Sequence, residues 1–305
     1  MNSTFKIKFP SLSIIFLSLL IAAVGIGCGG GGGGTPAPTD EDAQGLYITD
    51  GNNSRAVFKD ANPLNPDISK TLTDIKGMIY GELPNQKFIF FDIATNVLYE
   101  GNITTITLTD FVGTATVYND GVMVDNNVTV SGNVTTSSSI DMTLTGSGNF
   151  VSGSIKGLFS AAYNNVAAQL RISADVVNPW VSLDAGSVKM AIASMNTSNF
   201  IVESNSSTTM TTVTYTYNST SAAPLAQCSH SGTLKFDEPK NIHPLSNEKI
   251  SDAINCTIPT LPTDPSTFFT GFASVIAVDG AGIGTEMWYA TTNGTNSIFM
   301  ILTKL

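Results

Sequence analysis

The 305-residue chain is poor in charge. Lys, Arg, Asp and Glu make up 12% of it, and the balance is acidic: 14 basic residues against 24 acidic ones, a formal net charge of −10. Globular chains usually carry about a quarter charged residues, so Thr, Ser and Asn supply the polar surface here, which suits an exported β protein. Loss of Lys6 and Lys8 with a cleaved leader makes the chain more acidic still. Such a surface repels phosphate backbones and excludes nucleic acid as an expected partner. The chain has only two histidines, His230 and His243, and three cysteines, Cys28, Cys228 and Cys256. It has no His-Glu-x-x-His, no Gly-x-x-x-x-Gly-Lys phosphate loop and no Gly-x-Ser-x-Gly elbow. No catalytic, metal or cofactor residue is therefore assigned, and a non-enzymatic protein is expected. Long helical periodicity is missing too. The best helical candidate is short, about residues 165–175, with Val166-Ala167-Ala168-Gln169-Leu170 at its centre.

What is present begins at the N-terminus. Lys6 and Lys8 give a short positive start. An apolar run follows from Phe9 to Ile26, interrupted by Pro10, Ser11, Ser13 and Ser18, and it ends in Val24-Gly25-Ile26-Gly27-Cys28. That is the order of a secretory signal. An uncleaved membrane helix would need about 20 apolar residues, and the next segment argues against one. Gly29 to Gly34 is an unbroken glycine run, followed by Thr35-Pro36-Ala37-Pro38-Thr39. It cannot form a core and reads as a flexible tether.

With the cut before a cysteine, the segment resembles the lipobox of bacterial lipoproteins. Gly27 fits the position before Cys28, while Gly25 stands where the family usually has Leu. The resemblance implies export, cleavage before Cys28 and lipidation of that residue. Gly29, rather than Asp, after the cysteine implies the outer membrane. The membrane, reached through a lipid anchor, is thus the first expected partner. The expected organisation is a signal peptide over 1–27, the lipidated cysteine and tether over 28–43, a first β domain over 44–168 and a second over 175–305.

Cys228 and Cys256 are left as an even pair in a compartment where thiols oxidise, and one disulfide is the expected state. Its loop of about 29 residues would contribute roughly 3–4 kcal/mol by the chain-entropy argument. The alternative is a redox or metal pair. It has no CxxC spacing behind it and only His230 and His243 for company.

Beyond residue 44 the dominant pattern has period two. Ile140 to Thr145 and Thr212 to Tyr217 alternate without a miss. Val188, Met190 and Ile192 alternate with Lys189, Ala191 and Ala193, and Ile106 and Leu108 with Thr107 and Thr109. Alternation places one set of side chains on a core and the other in water. Asn119-Asp120-Gly121, Gly146-Ser147-Gly148, Asp279-Gly280 and Asn293-Gly294 are hairpin chemistry, because these residues accept positive φ. The pattern predicts an all-β fold of two antiparallel meanders, each a barrel or a sandwich. It also predicts apolar strands from Phe268 to Val278 and from Ser297 to Leu302, the second tied into a sheet as a closing strand.

Three short segments resemble a group of two-unit bacterial lipoproteins of unknown function. They are Gly45-Leu46-Tyr47 soon after the tether, Cys228-Ser229-His230-Ser231-Gly232-Thr233-Leu234 with a later cysteine, and the ending Phe299-Met300-Ile301-Leu302-Thr303-Lys304. The resemblance implies paired β units on an anchor and carries no catalytic residues across.

Other segments read as ordinary structure. Gly280-x-Gly282-x-Gly284 has no helix after it to hold a pyrophosphate and reads as a hairpin loop. Ser246-Asn247-Glu248-Lys249 has the Ser-x-x-Lys spacing of some hydrolases, without their companion motifs. His230 and His243 are candidate acid–base groups that read as ordinary polar residues. Asp50-Gly51-Asn52-Asn53, and Asp120 with Asp125-Asn126-Asn127, offer oxygens suited to calcium but lack its closing glutamate, so they read as turns. The sequons at Asn102, Asn127, Asn196, Asn218 and Asn293 arise by chance in so Asn-rich a chain. Phe88, Phe90 and Phe91, and Phe268, Phe269 and Trp288, are expected to pack cores rather than line a ligand cavity. The leading expectation is a lipid-anchored binding or structural module of the envelope or surface, its ligand unknown, with a protein or a small apolar molecule as candidate partner. The runner-up is a lipocalin-like carrier of a small apolar ligand, and the third reading is an envelope hydrolase built on a histidine, a serine and an acid.

Overall fold

The computed structural model describes residues 39–51, 53–164, 180–181, 188–189, 194–203, 212–221, 227–235, 241–250, 268–278 and 284–304. Among these the fold is all-β, apart from one 3-10 turn at Ala161–Asn164.

The first sheet comprises β1 (Gly45–Thr49), β2 (Ser54–Phe58), β3 (Ile68–Leu72), β4 (Ile75–Tyr80), β5 (Gln86–Asp92), β6 (Val97–Thr107), β7 (Asp110–Asn119), β8 (Val122–Thr135), β9 (Ser139–Thr145) and β10 (Phe150–Phe159). Its hydrogen-bonded order is β1-β4-β5-β6-β7-β8-β9-β10-β2-β3, and β1 also pairs with β10, so the sheet closes. β1 and β2 share β10 as neighbour: Tyr47 pairs with Phe159, and Ala56 with Gly153. The result is an up-and-down antiparallel barrel whose ring is β1 and β4 to β10.

Alternation fills it. β9 buries Ile140, Met142 and Leu144 and turns Thr143 and Thr145 outward. A barrel of about eight strands is just wide enough for side chains to fill. Here Tyr47, Phe88, Phe90, Tyr99, Phe111 and Phe150 are the largest of them. Their room comes from glycines on the neighbouring strands. Phe90 stands opposite Gly77, Phe88 opposite Gly101 and Phe111 opposite Gly132. A glycine in a strand lets another group approach the backbone closely, and the ring covers the surface left bare.

The second sheet comprises β11 (Trp180–Val181), β12 (Val188–Lys189), β13 (Ser194–Glu203), β14 (Thr212–Ser221), β15 (Gln227–Lys235), β16 (His243–Ile250), β17 (Phe269–Val278), β18 (Gly284–Thr292) and β19 (Ser297–Lys304). It too is antiparallel and returns on itself, with β13 paired to β14 and β19 to both β11 and β12. The last strand is therefore the closing strand that its position predicts. Residues 39–305 make one compact unit. The two sheets meet through Leu46, Met78, Ile89, Phe91, Leu98 and Tyr118 on one side and Phe272, Trp288, Ala290 and Phe299 on the other. This explains the unbroken apolar run of β5: Phe88 and Phe90 face the first barrel's interior, while Ile89 and Phe91 face the second sheet. A strand buried on both faces reads as continuous rather than alternating.

Several expectations change. Leu108 does not continue the strand pattern. Thr107 pairs with Asp110, which makes Leu108-Thr109 a two-residue turn with Leu108 at φ 57° and exposed. The tether expected to reach residue 43 gives way to attached chain earlier, because Asp40 to Ala43 are bonded to one end of the barrel. Asp40 Oδ1 accepts from Leu108 N at 2.8 Å and Asp42 Oδ1 from Gln86 Nε2 at 2.6 Å. Glu41 Oε2 accepts from Thr136 N at 2.9 Å, and Ala43 O accepts from the Tyr47 hydroxyl at 2.8 Å. The Leu108 and Thr136 bonds satisfy turn N–H groups that the hairpins leave open, and the other two satisfy the Gln86 amide and the Tyr47 hydroxyl. The Asp120-Gly121 turn forms as expected, with φ values of 53° and 77°. The expected helix over 165–175, the Asp279-Gly280 turn, Cys28 and Cys256 lie outside the described residues. Cys228 stands on β15, opposite Ser219 of β14.

Candidate functional site

Among the described residues, two places that gather polar groups stand out. The first is a groove of about 590 Å³ where the barrel wall and the second sheet diverge. Its floor is two rungs of the wall, set by strand register. Tyr80, Lys87, Asn102 and Thr114 are successive cross-strand partners, and Ile89, Glu100 and Thr116 form the next rung. The facing wall carries Pro244, Ser246, Thr270 and Phe272. The same outward face that is apolar under the second sheet turns polar here, because the sheet no longer covers it. Glu100 is held in place: the hydroxyls of Tyr118, at 3.2 Å, and Thr292 both donate to its Oε2. Burial and the neighbouring Glu100 charge push the Tyr118 hydroxyl well above its ordinary range, so it stays a donor. Tyr80 and Phe272 stack obliquely at the groove, with ring centroids 5.6 Å apart.

The second place is inside the second sheet. Glu248 is wholly buried. Its Oε1 lies 3.3 Å from His230 Nδ1, and its Oε2 accepts from the Thr291 hydroxyl at 2.9 Å and from the Tyr289 hydroxyl. An isolated carboxylate in such a position would cost several kcal/mol, and these donors offset that cost. His243, also buried, stands on the same strand. Glu248 faces inward because β16 carries a bulge between Leu245 and Glu248, with Asn247 at φ 55°. One extra residue reverses the side-chain parity of the rest of the strand. The Ser246–Lys249 segment thus lies on a strand rather than at a helix start.

The remaining candidates have structural duties. Asp125 accepts backbone N–H bonds from Asn127 at 3.0 Å, Ser147 at 2.8 Å and Gly148 at 2.6 Å, and so holds the β9–β10 turn. Burial works to raise its carboxyl, but those three bonds and the charge of Lys59 outweigh it and hold it below the ordinary aspartate value. A depressed carboxyl stabilises the fold above the ordinary range and loses that effect as pH falls through the lowered value. Asp125→Ala is expected to cost about 1–3 kcal/mol at neutral pH. The gap to wild type should close only in acid below about pH 4, as read by thermal melts across that range. A gap independent of pH would refute the assignment. Asp50 and Gly51 form the β1–β2 turn, with Gly51 at φ 58°. Phe91 and Trp288 join the inter-sheet cluster, Phe269 is buried, and Phe268 is exposed.

Sequence reasoning singled out His230 and missed Glu248, Tyr289 and Thr291, since a bulge has no period to read. It also missed the groove, whose rungs exist only once register is set. Compared with models of protein families, with curated proteins and with solved structures, the chain has no match.

Proposed function

We propose that this chain is a non-enzymatic, lipid-anchored protein of a bacterial outer membrane, held by lipid on Cys28, that presents two joined β units as a binding module. The observation that carries the reading is the packed interior of the first barrel beside an open groove on its outer wall. A filled barrel has no room for cargo, so its working surface is outside. The sealed Glu248 network supports the same reading, because His230 and its acid are out of a substrate's reach. A disulfide between Cys228 and Cys256 belongs to this reading as a clip suited to an oxidising compartment.

The expected result for Cys28→Ala in the full chain is loss from the membrane fraction. Retention there would refute the anchor. The second reading, a lipocalin-like carrier of a small apolar ligand, draws on the closed-barrel geometry itself. Native mass spectrometry of the mature protein separates the two. A small apolar mass released only on unfolding favours the carrier, and the acylated chain alone favours the module.

A further inference from the structure

We infer that the groove between the barrel wall and β16–β17 binds a neutral oligosaccharide; the inference rests on the binding-module reading and names its ligand class. Five observations point to that chemistry. The volume, about 590 Å³, lies inside the roughly 300–1,000 Å³ range of small-ligand sites. The hydrogen-bonding lining is mostly uncharged: Asn102, Asn126, Thr114, Thr116, Ser246 and Thr270. Side-chain amides offer a donor and an acceptor side by side and hydroxyls offer both at one atom, which matches the vicinal hydroxyls of a sugar. The two charged residues, Lys87 and Glu100, are of opposite sign, so the site favours neither anion nor cation. Glu100 is fixed by Tyr118 and Thr292 and stands as a rigid acceptor, the strongest kind for a hydroxyl donor. The half-buried Tyr80 ring, backed by buried Phe272, adds an aromatic face beside these polar groups, suited to the apolar C–H face of a pyranose ring.

An apolar cargo is disfavoured because it would leave the floor of the groove without hydrogen-bond partners. An added peptide strand is disfavoured because the floor strands are paired on both sides and offer no free edge.

The test uses the full mature chain in a detergent that contains no sugar. Cellotetraose, maltotetraose and chitotetraose are the neutral probes, and tetragalacturonate is the charged one. Saturation-transfer NMR reports binding. A paired substitution, Asn102→Ala with Asn126→Ala, removes two exposed amides, and its thermal midpoint shows that the fold is kept. The expected result is binding of at least one neutral probe at millimolar concentration, weakened about ten-fold or more in the paired variant. Binding of no neutral probe, of tetragalacturonate alone, or undiminished binding in the folded variant would overturn the inference. The outcomes for the two proposals differ. A bound probe that is also cleaved keeps the groove and sinks the non-enzymatic reading. A groove that binds no sugar, on a chain that still needs Cys28 for the membrane, leaves the anchored module standing.

Discussion

Glu248→Ala is expected to lower the stability of the folded chain by about 3–5 kcal/mol, the range for breaking a buried charged network on one side. The carboxylate gathers His230, Tyr289 and Thr291, on β15 and β18, onto one residue of β16. Its removal takes a carboxylate acceptor away from those buried groups and leaves a cavity as well. Glu248→Gln is the informative companion. The amide keeps the volume and one acceptor oxygen, so its expected cost is smaller, about 1–2 kcal/mol. Urea unfolding followed by the fluorescence of Trp288, which is buried between the two sheets, measures both. A Glu248→Ala variant within about 1 kcal/mol of wild type would show that the network is not a structural lock. Activity or binding lost in Glu248→Gln at full stability would give it a functional role instead.

Gly101→Val is expected to be as damaging, in the first barrel. A β carbon there would lie 2.2 Å from the carbonyl oxygen of Thr114 and 2.4 Å from the Phe88 ring. The oxygen belongs to the neighbouring strand and cannot swing away. Overpacking a filled core costs about 1–3 kcal/mol and sometimes more, and a clash with backbone places this change at or above the upper end. Phe88→Ala alone is expected to cost about 3–5 kcal/mol, from lost burial and the cavity it leaves. The pair should cost less than the sum, because removing the ring relieves part of the clash. Urea midpoints of the two single variants and the double variant close the cycle. Strict additivity would mean that the Phe88–Gly101 pairing does not set the fit.

Much of the architecture was legible in side-chain order. Period-two runs such as Ile140 to Thr145 name their own buried face, since a strand turns alternate side chains to opposite sides. Asp120-Gly121 names its own turn, since few other residues tolerate two successive positive φ angles. The run from Phe88 to Phe91 was legible as a core segment, but not as one serving two cores. Leu108 was misread because it keeps the alternation and yet sits at the tip of a hairpin, where the turn and the Asp40 cap decide its conformation.

The candidate site was hardly legible at all. Glu248 turns inward through a bulge at Asn247, and nothing in Ser246-Asn247-Glu248-Lys249 announces the change of parity. The groove is assembled from Tyr80, Lys87, Asn102 and Thr114, which are neighbours only through register, and from β16 and β17, which lie more than a hundred residues further on. Most strands, their buried faces and the Asp120-Gly121 turn follow from side-chain order alone, because they depend on the local geometry of a chain that alternates. Which outward face is covered, which is left as a groove and which acid is drawn inside are properties of the assembled sheets, because each depends on pairing between strands distant in the chain.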